Sequence, residues 1–148
     1  TGIDISQSQV NATKQLLLNR GVANPHVIQY DFRKFHSASQ YDLVFAGEVF
    51  LHIPPDEIES ALLKATALSR RWLIHIDPYS RNFTPNWFGM SGLRHWYWRK
   101  KNGLPKKWDW IHDYPRIYEL NSFSHISIYP VSNTIQAMFV NRVNTRSS

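Results

Sequence analysis

The sequence predicts an α/β fold with a mostly parallel sheet, helices on both faces and an antiparallel hairpin at its C-terminal end. Up to about residue 78, short apolar runs alternate with segments of helical periodicity, which is the order expected of βαβ units with right-handed crossovers. Near the end of the chain, residues 125–129 alternate in character, and residues 135–140 do so in part, with Asn133 in the turn between them. This pattern is typical of a closing hairpin.

The first βαβ unit is predicted from the residues that start and end its helix. Thr1–Ile5 is a strand end, and Ser6 is a candidate N-cap, with Gln9 three residues later as in a capping box. Gly21 is a candidate helix stop. Residues 26–30 then form the second predicted strand, and residues 32–40 are a polar connection.

The second βαβ unit has a more apolar pattern. Residues 41–46 are nearly all apolar, which predicts a parallel strand buried on both faces. Pro54 and Pro55 are tolerated in a first helical turn and predict the start of a helix. Its apolar positions recur at helical spacing: Ile58, Ala61, Leu62, Ala65 and Leu68. The next strand is predicted over residues 72–76, ended by Asp77 and Pro78.

Length and composition limit the class of protein. The chain has 148 residues, 43% of them apolar, which suits one globular domain with a hydrophobic core. No apolar run approaches the roughly 18 to 20 residues that a membrane span needs, and the first residues do not look like a signal peptide. Cysteine is absent, which excludes disulfides and cysteine metal sites and is compatible with the cytoplasm.

The net charge of +6 is concentrated in one segment. Residues 79–122 are rich in aromatic and basic side chains and show no long helical or strand period, which predicts an insertion. Seven basic residues and no acid lie between Pro78 and Trp108: Arg81, Arg94, Arg99, Lys100, Lys101, Lys106 and Lys107. The segment also holds five of the six tryptophans: Trp87, Trp96, Trp98, Trp108 and Trp110. Three interpretations remain open: a lid or pocket for a small-molecule substrate, which we favour, a nucleic-acid surface, or plain packing.

Four segments, taken in order, carry a family resemblance. They are Gly2-Ile3-Asp4-Ile5-Ser6, Tyr30-Asp31-Phe32, the run from Tyr41 to Pro54, and the run from Arg71 to Pro78. Together they resemble class I S-adenosylmethionine-dependent methyltransferases, which have a Rossmann-like fold. The run from Tyr41 to Pro54, with Glu48-Val49-Phe50-Leu51-His52, is the most specific of the four. The resemblance covers residues 1–78 and, more loosely, 123–141.

The resemblance implies S-adenosylmethionine as the cofactor. Asp4 ends the first predicted strand, which corresponds to the second strand of the family. It is expected to accept the ribose hydroxyls, since a carboxylate can accept two donors. Asp31 is expected to take the adenine amino group, with Phe32 packed near the ring. Gly47 allows the backbone to approach the cofactor closely. The full set of implied cofactor contacts is Asp4, Ile5, Asp31, Phe32, Gly47 and Val49.

The chain also departs from the family pattern. The family's first strand and its glycine-rich loop have no counterpart here, so we expect residues 1–148 to be an N-terminally truncated methyltransferase domain. We expect this piece alone to be inactive, to bind S-adenosylmethionine weakly or not at all, and to aggregate through unpaired strand edges. In its structure, the strands of residues 1–5 and 41–46 should either keep a slot between them or pair directly.

Methyl transfer is an in-line displacement, so alignment is the main task, and a base is needed only for a protonated nucleophile. The candidates for catalysis are His52, His112, Asp113 and Tyr114, with Asp77 as a further possible base. His112 and Asp113 would place a base beside an orienting carboxylate. The alternative is that all are ordinary polar loop residues. No His/Asp pair has the spacing of a metal site.

Two other functions compete with methyl transfer. An NAD-dependent oxidoreductase shares the acid after the second strand of its fold, but the segment from Glu48 to Pro54 fits methyltransferases better. A nucleic-acid-binding module would use the basic aromatic insertion, and strong salt dependence would support it. The methyl acceptor and the oligomeric state are not readable from the sequence.

Overall fold

The computed structural model describes residues 1–79, 110, 112–121, 123, 126–131 and 136–143. The chain forms two compact units, Thr1–Ala38 and Ser39–Ser148. The described strands form two separate sheets, one of two strands and one of four. No helix among the described residues is long and apolar enough to cross a membrane.

The first unit is a small βαβ arrangement. Strand β1 (Gly2–Asp4) pairs in parallel with β2 (Val27–Gln29), and helix α1 (Gln7–Asn19) connects them. The side chain of Ser6 accepts a hydrogen bond from the backbone N–H of Gln9 at 3.5 Å, as predicted for the N-cap. The helix ends just before Gly21, whose φ of +80° few other residues adopt, so the predicted stop is also confirmed.

The second unit is built on a mixed sheet. Its strands are β3 (Tyr41–Gly47), β4 (Ser69–Pro78), β5 (Ile126–Pro130) and β6 (Gln136–Arg142), and helix α2 (Ile58–Leu68) lies between β3 and β4 in sequence. The strand order is β3-β4-β6-β5, with β3 and β4 parallel and β6 antiparallel to both of its neighbours. The predicted parallel pairing and the terminal hairpin are therefore confirmed. The predicted turn residue Asn133 lies outside the described residues.

Direct pairing of β1 with β3, one of the two arrangements expected from the sequence, is not observed in the described part of the chain. The parallel partner of β1 is β2, and the parallel partner of β3 is β4. The two strands belong to different sheets.

Strand β4 is longer than predicted. It continues through Asp77 and Pro78, which the sequence suggested as its end, and Pro78 pairs with Gln136 of β6. A proline lacks the N–H that a ladder needs, but it is tolerated at the end of a strand. The extension matters because it places the Asp77 side chain on the sheet rather than in a loop.

The expectation that β3 is buried on both faces is wrong. Leu43 and Phe45 are 49% and 60% exposed. Their register partners on β4 are Trp72, itself 40% exposed, and Ile74. Side chains alternate between faces along a strand, so these residues share one open face. The opposite face is closed and contains the fully buried Leu73, His75, Asp77 and Phe139.

The segment 79–122 contains a helix that its lack of periodicity did not predict. Helix α3 (Tyr114–Leu120) starts where the side chain of Asp113 accepts from the backbone N–H of Arg116 at 3.3 Å. Asp113 as the cap and Pro115 in the first turn are ordinary helix-start signals. Seven residues are too few for a periodic pattern to stand out. The other predicted features of this segment, with Trp87, Trp96, Trp98 and Trp108, lie outside the described residues.

Candidate functional site

The segment after β3 turns sharply at Glu48. This residue has φ of +54°, a left-handed conformation that is unfavourable for a residue with a Cβ. Its backbone N–H donates to the carbonyl of Ile76 at 2.8 Å, and its carboxylate accepts a hydrogen bond from the side chain of Gln136. The turn is thus tied to the carboxyl end of β4, at the edge of the sheet where open α/β folds bind ligands.

Backbone hydrogen bonds hold the next residues in place. The N–H of Leu51 donates to Asp77 Oδ1 at 3.1 Å, and the carbonyl of Leu51 accepts from the N–H of Trp110 at 2.7 Å. The ring of His112 donates from Nε2 to the carbonyl of Phe50 at 3.1 Å. Three side chains of the segment are buried: Phe50, Leu51 and Ile53. Val49 and His52, both candidates from the sequence, are exposed.

A buried polar network connects β4 to α3. His75, Asp77 and Tyr118 are all 0% exposed. His75 Nδ1 lies 2.7 Å from Asp77 Oδ2, and His75 Nε2 is hydrogen-bonded to the Tyr118 hydroxyl. We assign the proton to Nδ1, because His75 then donates to the Asp77 carboxylate while the Tyr118 hydroxyl donates to Nε2. The ring of Phe139 stacks on His75 at 4.5 Å.

Burial disfavours the charged forms of this network. It lowers the pKa of His75, against the opposing effect of the hydrogen bond and charge of Asp77. Burial likewise raises the pKa of Asp77, against the hydrogen bond and charge of His75, and Glu48 adds a smaller increase. A neutral His75 at pH 7 follows from its lowered pKa, and it fits the tautomer assigned above.

The sequence did not single out His75 or Tyr118, although a signal for both was present. His75 and Asp77 are two residues apart on one strand, so their side chains must share a face. Tyr114 and Tyr118 are four residues apart on α3 and also share a face. What the sequence lacked was the information that these two faces pack together.

Tyr114 is the unusual member of this region. Its side chain is fully buried, 4.7 Å from the His75 ring between centroids, yet its hydroxyl has no hydrogen-bond partner among the described residues. Burial, with smaller effects of Asp77 and Tyr118, raises its pKa well above 10. Tyr114 is therefore a neutral phenol at pH 7 and suits the role of hydrogen-bond donor rather than base.

His112 and Asp113 do not form the predicted pair of base and orienting carboxylate. The Asp113 carboxylate caps α3, while His112 contacts the backbone of Phe50 and Ile53. Burial lowers the pKa of His112 to about 4, so its ring is neutral at pH 7. Among the described residues, the His75–Asp77 pair has this geometry instead.

In the first unit, Asp4 is the last residue of β1, and one of its two carboxylate oxygens accepts a hydrogen bond. Its Oδ1 accepts from the backbone N–H of Ser6 at 2.7 Å, at the start of α1. Its Oδ2 has no hydrogen-bond partner among the described residues. Ile5, which follows, is 67% exposed although apolar. These two neighbours therefore present an acceptor oxygen and an uncovered apolar side chain.

Asp31 lies after β2 and is held by a single neighbour. Its Oδ1 accepts from the backbone N–H of Arg33 at 2.9 Å and from Arg33 Nε at 3.0 Å. Its Oδ2 accepts from Arg33 Nη2 at 2.8 Å. The hydrogen bond from the guanidinium is the main cause that lowers the pKa of Asp31. Phe32 begins the 3-10 helix Phe32–Lys34 that Asp31 caps.

Gly47, at the end of β3, is not required by local packing. A Cβ added there would meet, among the described residues, only the ring of Phe45, at an ordinary contact distance of 3.5 Å. Among the described residues, no three His, Asp or Glu side chains are grouped as a metal site requires.

The comparisons with known proteins agree with the resemblance deduced from the sequence. The sequence model of a family described as methyltransferase domain matches residues 1–71. No curated protein is detectably similar to the chain in sequence.

Several solved methyltransferases have a similar fold. Magnesium protoporphyrin IX methyltransferase from Synechocystis, with bound S-adenosylhomocysteine, is 19% identical over 97% of this chain and 63% of its own, with a TM-score of 0.63. A putative O-methyltransferase from Nostoc punctiforme is 22% identical over 95% and 43%, with a TM-score of 0.67. The N-methyltransferase NodS from Bradyrhizobium japonicum is 10% identical over 97% and 65%, with a TM-score of 0.63.

These findings define the class of fold. The chain has the α/β fold of class I S-adenosylmethionine-dependent methyltransferases, and its sequence resembles their domain over the first 71 residues. It spans between 43% and 65% of the length of the three solved chains named above.

Proposed function

We propose that the protein transfers a methyl group from S-adenosylmethionine to an acceptor. The family match over residues 1–71 and a fold shared with methyltransferases that bind S-adenosylhomocysteine support this proposal. An NAD-dependent oxidoreductase has no comparable support among the relatives named above.

The observation that carries the proposal is the Asp4 carboxylate. Asp4 Oδ1 is held by the backbone N–H of Ser6, whereas Asp4 Oδ2 accepts no hydrogen bond among the described residues, so one oxygen of the carboxylate is available to a ligand. It lies at the carboxyl end of a parallel strand, where Rossmann-like folds accept the ribose hydroxyls of a nucleotide. The residues present therefore fit the nucleoside part of the cofactor.

The other proposed cofactor contacts are also residues with an acceptor position or a surface open to a ligand. Asp31 Oδ2 has one acceptor position left for an adenine amino group, and Phe32 follows it. Exposed Ile5 and Val49 offer apolar surface, and Gly47 leaves room for a backbone contact. When bound, the cofactor supplies an electrophilic methyl group on a sulfonium, and the protein residues have to orient it and exclude water.

Among the described residues, two side chains are our candidates for different roles in catalysis. His52 is exposed at the end of the 3-10 helix Phe50–His52 and is our candidate for a general base toward a protonated nucleophile. Tyr114 is protonated and buried, and its hydroxyl has no partner among the described residues. We therefore propose that it donates a hydrogen bond to a bound ligand. His112 and Asp113 contribute by holding the segment at Phe50 and by capping α3.

We further propose a small-molecule acceptor and a cytoplasmic location. Magnesium protoporphyrin IX methyltransferase, which shares the fold, is named for a small-molecule substrate. The lack of cysteine is compatible with a reducing compartment.

The direct test is a calorimetric titration of the full-length protein with S-adenosylmethionine, S-adenosylhomocysteine and NADH. We expect the first two to bind and NADH not to bind. Asp4→Ala should weaken S-adenosylhomocysteine binding by about 1 to 3 kcal/mol, because it leaves the ribose hydroxyls without an acceptor.

A matched control is Asp42→Ala, which removes an acid of another strand. Asp42 is 66% exposed and forms a surface ion pair with Arg70 at 3.0 Å, so its loss should leave affinity unchanged. Equal affinity of the Asp4→Ala variant and the unsubstituted protein would contradict the proposed cofactor site. Binding of NADH instead of S-adenosylhomocysteine would contradict the function itself.

A further inference from the structure

The geometry of Asp31 points to a role for Arg33 that deepens the proposed function. We propose that Arg33 is a positioning residue that orients the Asp31 carboxylate so that it accepts one hydrogen bond from a 6-aminopurine and rejects a 6-oxopurine. This inference rests on the assignment of Asp31 to the adenine of the cofactor.

The first step is a count of acceptor positions. A carboxylate has about four lone-pair positions, two on each oxygen. Arg33 fills both positions of Oδ1, with its backbone N–H at 2.9 Å and its Nε at 3.0 Å, and one position of Oδ2, with Nη2 at 2.8 Å. Among the described residues, one position on Oδ2 remains, and a single amino N–H can fill it.

The second step is the rigidity of this arrangement. The guanidinium contacts both oxygens at once, which fixes the plane of the carboxylate as well as its position. The backbone N–H of Arg33 adds a third restraint from the 3-10 helix that Asp31 caps. The carboxylate is therefore oriented before a ligand arrives, and binding does not have to immobilise it.

The third step is the sign of the effect. If Arg33 merely blocked Asp31, a nucleoside would have to displace the guanidinium, and removal of Arg33 would improve binding. The free position on Oδ2 argues against blocking, because the amino group and the guanidinium can be accommodated together. A purine with an oxo group at position 6 would place an acceptor against the remaining lone pair, which is repulsive.

The experiment measures the affinity of the full-length protein for S-adenosylhomocysteine and for S-inosylhomocysteine, its 6-oxo analogue, by calorimetry. The unsubstituted protein should prefer the amino form. Arg33→Met should weaken S-adenosylhomocysteine binding about 3- to 10-fold, the effect of leaving one side chain to be ordered on binding. It should also reduce the preference for the amino form.

Two further variants separate geometry from charge. Arg33→Lys keeps the charge but cannot contact both oxygens, so it should resemble Arg33→Met. Lys34→Met is the matched control, because Lys34 lowers the pKa of Asp31 through its charge alone, and its affinity should match that of the unsubstituted protein. Arg33 lies at the surface, with 42% of its side chain exposed, and unchanged unfolding curves will show that the variants fold.

The outcomes are distinct. Unchanged or tighter S-adenosylhomocysteine binding by Arg33→Met, while Asp31→Ala abolishes the preference for the amino form, would overturn this inference and leave the proposed function standing. Wild-type affinity in Arg33→Lys would assign the effect to charge and also overturn it. If the unsubstituted protein binds neither ligand, both the proposed function and this inference fail.

Discussion

Two tyrosines one helical turn apart on α3 differ in the hydrogen bonding of their hydroxyl groups. Both Tyr114 and Tyr118 are fully buried, but only the Tyr118 hydroxyl has a hydrogen-bond partner among the described residues, His75. A buried hydroxyl without a partner costs free energy, whereas a paired one satisfies its neighbour as well. The same chemical change at the two positions should therefore have different consequences.

We predict that Tyr118→Phe lowers the free energy of unfolding by about 1 to 3 kcal/mol, because it leaves His75 Nε2 buried without a partner. Tyr114→Phe removes a hydroxyl that makes no hydrogen bond among the described residues, and it should be neutral or slightly stabilising. Urea denaturation of both variants measures the difference. Equal destabilisation by the two substitutions would mean that the His75–Tyr118 hydrogen bond contributes nothing to stability.

The pKa of His112 predicts how stability depends on pH. Burial lowers this pKa to about 4 in the folded chain, whereas an unfolded histidine titrates near 6.5. The folded state therefore binds fewer protons between these values. The contribution of His112 to the free energy of unfolding is therefore fully present above about pH 6.5. It decreases by about 3 kcal/mol as the pH falls toward about 4.

The measurement is the free energy of unfolding in urea at several values between about pH 7 and pH 4. His112→Gln should show a smaller loss than the unsubstituted chain, since glutamine does not titrate and can still donate to the Phe50 carbonyl. Some loss should persist in the variant, because burial lowers the pKa of His75 in the same direction. Parallel pH profiles for the two proteins would refute the role of His112.

At the scale of elements, the second sheet is asymmetric. The face of β4 that carries Leu73 and His75 is closed by Phe139 of β6 and by the tyrosines of α3. The other face leaves Leu43 and Phe45 of β3 exposed. An apolar strand sequence therefore does not mean equal burial of its two faces, because burial depends on which layers cover them.

Leucine-to-alanine substitutions on the two faces test this asymmetry. Leu73→Ala, at a fully buried position, should destabilise the chain by about 2 to 5 kcal/mol through lost burial and a cavity. Leu43→Ala, at a position 49% exposed on the neighbouring strand, should cost less than about 1 kcal/mol. Thermal or urea unfolding compares them directly. A similar cost at both positions would show that the face of Leu43 is covered in solution.

At the scale of the whole chain, the candidate residues divide between the two compact units. The proposed nucleoside contacts of Asp4 and Asp31 belong to Thr1–Ala38, and the His75–Asp77–Tyr118 network belongs to Ser39–Ser148. The family match over residues 1–71 includes the first unit and the β3–α2 part of the second. The basic aromatic segment stays a prediction, as do its three interpretations.

The sequence by itself determined the order of the strands and of helices α1 and α2, the parallel pairing within each βαβ unit and the hairpin at the end, but not helix α3. These features follow from local signals: apolar runs of strand length, the cap at Ser6, the stop at Gly21 and the spacing of apolar residues in α2. The resemblance to methyltransferases, and with it Asp4 and Asp31, also came from residues close together in sequence.

Only the tertiary structure decided which polar side chains meet. His75 and Tyr118 are 43 residues apart, and no local pattern states that one face of α3 packs on one face of β4. Tertiary structure also decided the place of Asp77. The sequence suggested that the strand ends there, but pairing with Ala137 of β6 keeps Asp77 within β4. Pairing across such distances depends on how the elements pack, whereas caps, stops and strand runs depend on neighbouring residues alone.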